Sequence, residues 1–283
     1  MNVATVAAET GLSRWLGLSR SELFAVTFAL GFLNAIIPNI ISGIQVYGIF
    51  YSVINTFEIS VIVWLAALFA VQYALSGDLG AITNLDRAVC IFMLLVSVAP
   101  LGPIMWIFNT LFAFYLILGA GRSDMIRRCG WITLAITVPM FWSKRVFNVF
   151  SEFFLSLDAE LVSSITGTSR ISNLVPIPNG EGYLQIAAPC SSVANVSLAI
   201  LCWVIFTQTT GVRWRIRNVA WCAFACISVV AINVSRISLI GFYPDKYELL
   251  HGPVGATVTS WLTIIVVLTV CFYGVGRGRF RLL

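Results

Sequence analysis

Three residues in the carboxyl-terminal half have the types that acyl-transfer chemistry needs: Cys190, Arg236 and His251. A thiolate is a strong nucleophile, but a free cysteine is only a few per cent ionised near neutrality, so it works beside a base or a cation. His251, the single histidine of the chain, can take the thiol proton as general base and return it to a leaving amine. Arg236 stays charged and carries five donors, suited to a thiolate or to the oxyanion of a tetrahedral intermediate. Singly these signals are weak. A buried cysteine is ordinarily a small inert hydrophobe, and a lone interfacial histidine is more often structural. The arginine is stronger, because a charge inside a membrane helix costs about 2.5–3.5 kcal/mol even on the mildest scale; snorkelling to the headgroups is its competing account.

The case for a site rests on where the surrounding segments put these three. Hydrophobic residues make up 59% of the chain and charged residues 10%, with a mean hydropathy of +0.93. A water-soluble surface cannot be built from so few charges. The apolar residues fall into blocks of roughly twenty, the length of a helix that crosses about 30 Å of hydrocarbon. The expected fold class is therefore an all-α polytopic membrane protein. About eight transmembrane helices are read, near Glu22–Ile41, Asn55–Leu75, Leu85–Ala99, Ile104–Ala120, Gly130–Phe141, Ser191–Gln208, Asn218–Ile240 and Val254–Tyr273. Pro100-Leu101-Gly102-Pro103 must turn the chain between the third and fourth.

Basic residues orient these spans. With a cytoplasmic amino terminus, Arg14, Arg20, Arg87, Arg122, Arg127, Arg128, Arg213, Arg215, Arg217, Arg277, Arg279 and Arg281 lie inside. Lys144, Arg145, Arg170, Arg236 and Lys246 lie outside or at that boundary. The twelve-to-five split follows the positive-inside rule and predicts both termini cytoplasmic in a plasma (inner) membrane. The net charge of +5 is thus topology information, and no nucleic-acid partner is expected. No cleavable signal peptide is read at the amino terminus.

Cys190, Arg236 and His251 then fall at one membrane level on the extracytoplasmic side, reached from three consecutive helices. Cys190 opens the sixth span, near a helix amino terminus whose partial charge favours a thiolate. His251 opens the eighth. Before them, Ser143–Thr166 reads as an amphipathic helix at the outer interface. Gly167–Pro189 reads as an extracytoplasmic loop or small hairpin, with β-prone pieces at Asn173–Ile177 and Tyr183–Ile186. Supporting candidates are Ser191, Asn233, Asp245 as an orienter of His251, and Glu58 as an intramembrane carboxylate that could partner Arg236. The remaining six cysteines lack the spacing of a zinc or disulfide framework. One histidine and no convergent carboxylates make metal catalysis unpromising, and no cofactor is expected.

Three motifs carry a resemblance: Ala188-Pro189-Cys190-Ser191, Asn233-Val234-Ser235-Arg236-Ile237 and His251-Gly252-Pro253-Val254-Gly255. In order and spacing from the spans, they resemble the exosortase/archaeosortase family of membrane transpeptidase-like cysteine proteases. That family runs a Gly-rich loop into Ala-x-Cys-Ser-Gly at a helix start, followed by Asn-x-x-Arg-Ile and a histidine before a final span. The likeness covers the region from about Pro139 onward, and residues 129–283 are expected to be the catalytic membrane region, after an amino-terminal region of about four spans in 1–128. It departs at Ser192, where the family usually has Gly; a side chain there is expected to crowd the nucleophile or alter substrate approach. The resemblance implies cleavage of secreted proteins bearing a short carboxyl-terminal motif, a single spanning helix and a basic tail, through a thioester. The alternative is a non-enzymatic transporter or an assembly factor for envelope polymers. Transporters usually hold ionisable groups near the midplane and show repeated halves, whereas here the polar cluster lies at a boundary and no repeat is evident.

Overall fold

A computed structural model describes residues 17–77, 80–119, 122–178, 181–212 and 214–276; the expectations placed on Arg14, Arg213, Arg277, Arg279 and Arg281 lie outside these residues. The chain divides into two compact units, Met1–Thr137 and Val138–Leu283.

The first unit is helical. Helix α1 (Arg20–Tyr47) starts at a capping box, in which Ser19 and Glu22 satisfy each other's backbone N–H groups. It is followed by α2 (Ile49–Ile54), α3 (Val61–Leu75), α4 (Asn84–Val98), α5 (Met105–Leu118) and α6 (Asp124–Thr137). Buried amides tie α1 to its neighbours. Asn34 Nδ2 donates to the carbonyls of Ser97 (2.9 Å) and Ala99 (2.7 Å), and Asn109 Nδ2 donates to Gly31 (3.2 Å). Asp86, fully buried, joins Arg20 (3.0 Å), Arg122 (2.8 Å) and the Tyr115 hydroxyl (2.6 Å). Burying this carboxylate is tolerable because it has two cations and a hydroxyl as partners.

Among the described residues four helices are long and apolar enough to cross a bilayer: Arg20–Tyr47, Ala188–Thr210, Ile216–Phe242 and Pro253–Val275. The helices at the other four expected spans are shorter. Those of α3 and α4 hold 15 residues, and those of α5 and α6 hold 14. At 1.5 Å per residue they reach only roughly 21–23 Å. The expected span from Asn55 is interrupted before α3, because Thr56, Phe57 and Glu58 take φ of 51°, 56° and 58°, left-handed backbone that ends a helix.

The second unit opens with a π-helical turn, Val138–Trp142, containing Pro139. Proline supplies no N–H to an α-helical ladder, which favours such a local change of pitch. Helix α7 (Ser143–Val149) and helix α8 (Ser151–Thr166) follow. The single amphipathic helix expected over Ser143–Thr166 is therefore two helices, broken at Phe150 (φ −115°, ψ 27°). Gly167 closes α8 in the left-handed conformation, φ 69°.

Strands β1 (Leu174–Pro176) and β2 (Tyr183–Gln185) pair antiparallel, with Val175 opposite Leu184. So short a hairpin is marginal by itself. It is held by burial: Val175 and Ile186 join Ala159 and Val162 of α8 and Val234 and Ile237 further along in one apolar cluster, against which Cys190 packs. The unit is completed by α9 (Val193–Thr210), α10 (Ile216–Phe242), α11 (Tyr247–His251) and α12 (Pro253–Cys271).

Candidate active site

Cys190 does not open a helix. It closes a 3₁₀ turn, Ala188–Cys190, and α9 begins only at Val193. Pro189 presets φ for this turn. The N–H groups along it are spoken for: Cys190 donates to Ala187 (2.9 Å), Ser191 to Ala188 (3.2 Å), Ser192 to Asp158 Oδ2 (3.1 Å) and Val193 to the Ser191 hydroxyl (3.4 Å). Thus the positive end of α9 faces the Asp158 carboxylate rather than the thiol. It also follows that no N–H from Cys190 to Val193 is spare for an oxyanion.

Asn233 reaches the same turn from α10. Its Nδ2 donates to the Cys190 carbonyl (2.7 Å) and to the Ser192 hydroxyl (3.0 Å), and the Ser192 hydroxyl donates to Asp158 Oδ1 (3.0 Å). Ser192 is 4% exposed and Asp158 4%. The Ser192 side chain is consequently directed into a buried hydrogen-bond chain, and the crowding expected of it at the nucleophile is not what the structure contains. Asp158 lies in the segment whose pattern reads as an amphipathic helix. Its 3.6-residue spacing carries no hint of a partner 34 residues later, although a carboxylate among Leu155, Ala159 and Val162 is an irregularity in the apolar stripe.

Burial holds the Asp158 carboxyl above its ordinary value, while hydrogen bonds from Ser192 and Ser191 pull the other way. A raised native value means the folded state binds the proton more tightly than the unfolded state. Its contribution to stability is full below the ordinary value of 3.8 and is lost as pH rises through the native value. The Asp158→Asn variant should therefore gain melting temperature relative to wild type as pH is raised from acid to neutral. A thermal-unfolding series in detergent checks this, and a pH-independent difference would refute it.

Arg236 is half-buried on α10. Its Nε donates to the Leu250 carbonyl (3.0 Å) and Nη2 to the His251 carbonyl (3.1 Å). These carbonyls end α11 and have no helical partner of their own, so a cation fits there for hydrogen-bond and dipole reasons alike. Glu58, in the other unit, pairs with the Tyr47 hydroxyl.

His251 ends α11 instead of opening the last span, which starts at Pro253. Its ring stacks on Tyr247 one turn earlier, at 4.8 Å and 11°. Asp245 sits exposed in the turn Pro244–Lys246. Among the described residues neither it nor Glu248 hydrogen-bonds the imidazole, so Tyr247 is the group that orients it. Two glycines permit the tight passage from α11 to α12. A Cβ on Gly252 would lie 2.2 Å from the Glu248 carbonyl, and one on Gly255 would lie 2.2 Å from the Leu250 carbonyl. The Leu250 carbonyl is the one Arg236 holds. Gly255→Ala should therefore displace both Arg236 and His251, at a cost of about 1–3 kcal/mol. The expected result is a lower melting temperature than wild type in detergent, and an unchanged one would refute the crowding.

Cys190, Asn233, Arg236, Tyr247 and His251 line one cleft of about 60 Å³, with Leu184, Gln185 and Ile186 of the hairpin as its wall. This is the liquid volume of roughly two water molecules, enough for a carbonyl group beside the thiol. Ser191 is buried and acts on the backbone. Among the described residues no group of three His, Cys, Asp or Glu side chains is arranged to hold a metal ion. No protein-family model, curated protein or solved structure matches the chain.

Proposed function

We propose that the chain is a membrane-embedded cysteine protease or transpeptidase of exosortase-like type, with Cys190 as nucleophile, His251 as general base and acid, and Arg236 as oxyanion donor. The observation that supports this reading is one small cleft lined by all three residues. His251 takes the thiol proton, and the Cys190 sulfur attacks the scissile carbonyl carbon. The negative charge then gathers on the carbonyl oxygen, where Arg236 has donors not engaged by Leu250 and His251. The C–N bond breaks, the leaving amine takes the proton back from His251, and a Cys190 thioester remains. Water or an amine then releases the acyl group.

Because the N–H groups from Cys190 to Val193 are engaged, the arginine takes the place of a backbone oxyanion hole. The substrates are secreted proteins with a short carboxyl-terminal motif, one spanning helix and a basic tail. The shorter helices α3 to α6 complete eight spans in an inner membrane, with both termini cytoplasmic and the cleft on the extracytoplasmic side. The test is mass spectrometry of the enzyme trapped during turnover of such a substrate. A substrate fragment on Cys190 that neutral hydroxylamine removes supports the thioester. Turnover with the fragment never found on Cys190, under conditions that preserve thioesters, excludes it.

A further inference from the structure

Arg236 lines two cavities. The second, about 560 Å³, runs between α10 and α12, with Ile232 and Leu239 on one wall and Val254, Val258 and Leu262 on the other. Leu239, Val254, Val258 and Leu262 are exposed, and both helices are among the four long and apolar enough to cross a bilayer. The groove extends from Ala231 to Leu239 and from Val254 to Leu262, roughly 12 Å along either helix. Both walls are hydrocarbon, the kind of surface that acyl chains cover. Arg236 lines it one turn before Leu239, with two of its guanidinium's five N–H groups given to Leu250 and His251. Asp245, Lys246 and Glu248 line neither cavity.

An apolar groove that holds a cation with spare donors matches an amphiphile with an anionic head. We infer that the α10–α12 groove binds an anionic phospholipid, acyl chains between the helices and phosphate on Arg236. The headgroup then stands at the rim of the Cys190 cleft. This binding does not depend on the reaction proposed above and is read without any substrate.

The experiment uses full-length protein in phosphatidylcholine nanodiscs carrying a trace of photoactivatable phosphatidylglycerol, with cross-linked peptides identified by mass spectrometry. Labelling is expected on residues 231–262, displaced by unlabelled phosphatidylglycerol and not by further phosphatidylcholine. Val258→Trp, which fills the groove without touching the Cys190 cleft, should lower labelling by roughly tenfold. Arg236→Gln should abolish the preference for phosphatidylglycerol over an equally photoactivatable phosphatidylcholine. Equal displacement by both lipids in wild type would mean annular lipid only and would overturn the inference, whatever the variants do; so would labelling confined to other helices.

Discussion

Cys190→Ala is expected to leave a co-expressed substrate at full length where the wild-type protein shortens it, at equal membrane abundance. Removal of a catalytic nucleophile typically costs roughly 10⁴–10⁶ in rate, which on an immunoblot is complete loss. The fold has little reason to change. The turn at Cys190 is fixed by backbone groups, through Ala187 and Asn233, and neither contact uses the sulfur. Only a half-buried thiol is lost, a change of about 1 kcal/mol. Identical processing by both proteins would show that Cys190 is not the nucleophile for that substrate, and would favour the transporter or assembly-factor reading.

Arg236→Lys is expected to lower turnover by about 10²–10³ while abundance falls little. Lysine keeps the charge but presents one ammonium, which cannot serve two carbonyls and an oxyanion in the planar arrangement of a guanidinium. Arg236→Ala should do both kinds of damage, because it also leaves the Leu250 and His251 carbonyls unpaired at a cost of about 1–3 kcal/mol. The pair of variants separates two roles. A purely structural arginine predicts loss of folded protein with normal turnover per molecule. A catalytic one predicts that kcat falls at unchanged KM in the lysine variant. Normal kcat in Arg236→Lys would remove Arg236 from the oxyanion role.

The candidate residues were legible because type and position suffice to find them. A single histidine, one arginine embedded in Asn233–Ile240, and a cysteine after a Gly/Pro-rich loop are local facts of the chain. Their surroundings were not legible. Arg236 gives two of its donors to the backbone carbonyls of Leu250 and His251, and no pattern of side-chain types encodes a free carbonyl. Asp245 was favoured for its nearness to His251 in sequence, yet the stacking partner one helical turn away is Tyr247. By pattern Asp158 is one polar residue of an amphipathic helix, and Ser192 a side chain that crowds the nucleophile or alters substrate approach. They form one buried chain with Asn233, across 34 and 41 residues of sequence.

Composition alone determined that most of this chain is apolar helix of bilayer type, since the cost of exposing hydrocarbon to water adds up residue by residue and needs no knowledge of neighbours. Segment order and residue type determined which side chains could react. The tertiary structure alone decided that Cys190, Arg236 and His251 line one cleft, that Asp158 takes the helix end expected for the thiol, and that Gly252 and Gly255 let the chain pass close enough to set Arg236 on the end of α11. Hydrogen bonds and close packing depend on distances of a few ångströms between segments far apart in sequence. Such distances are fixed only when the helices and the hairpin have packed on one another.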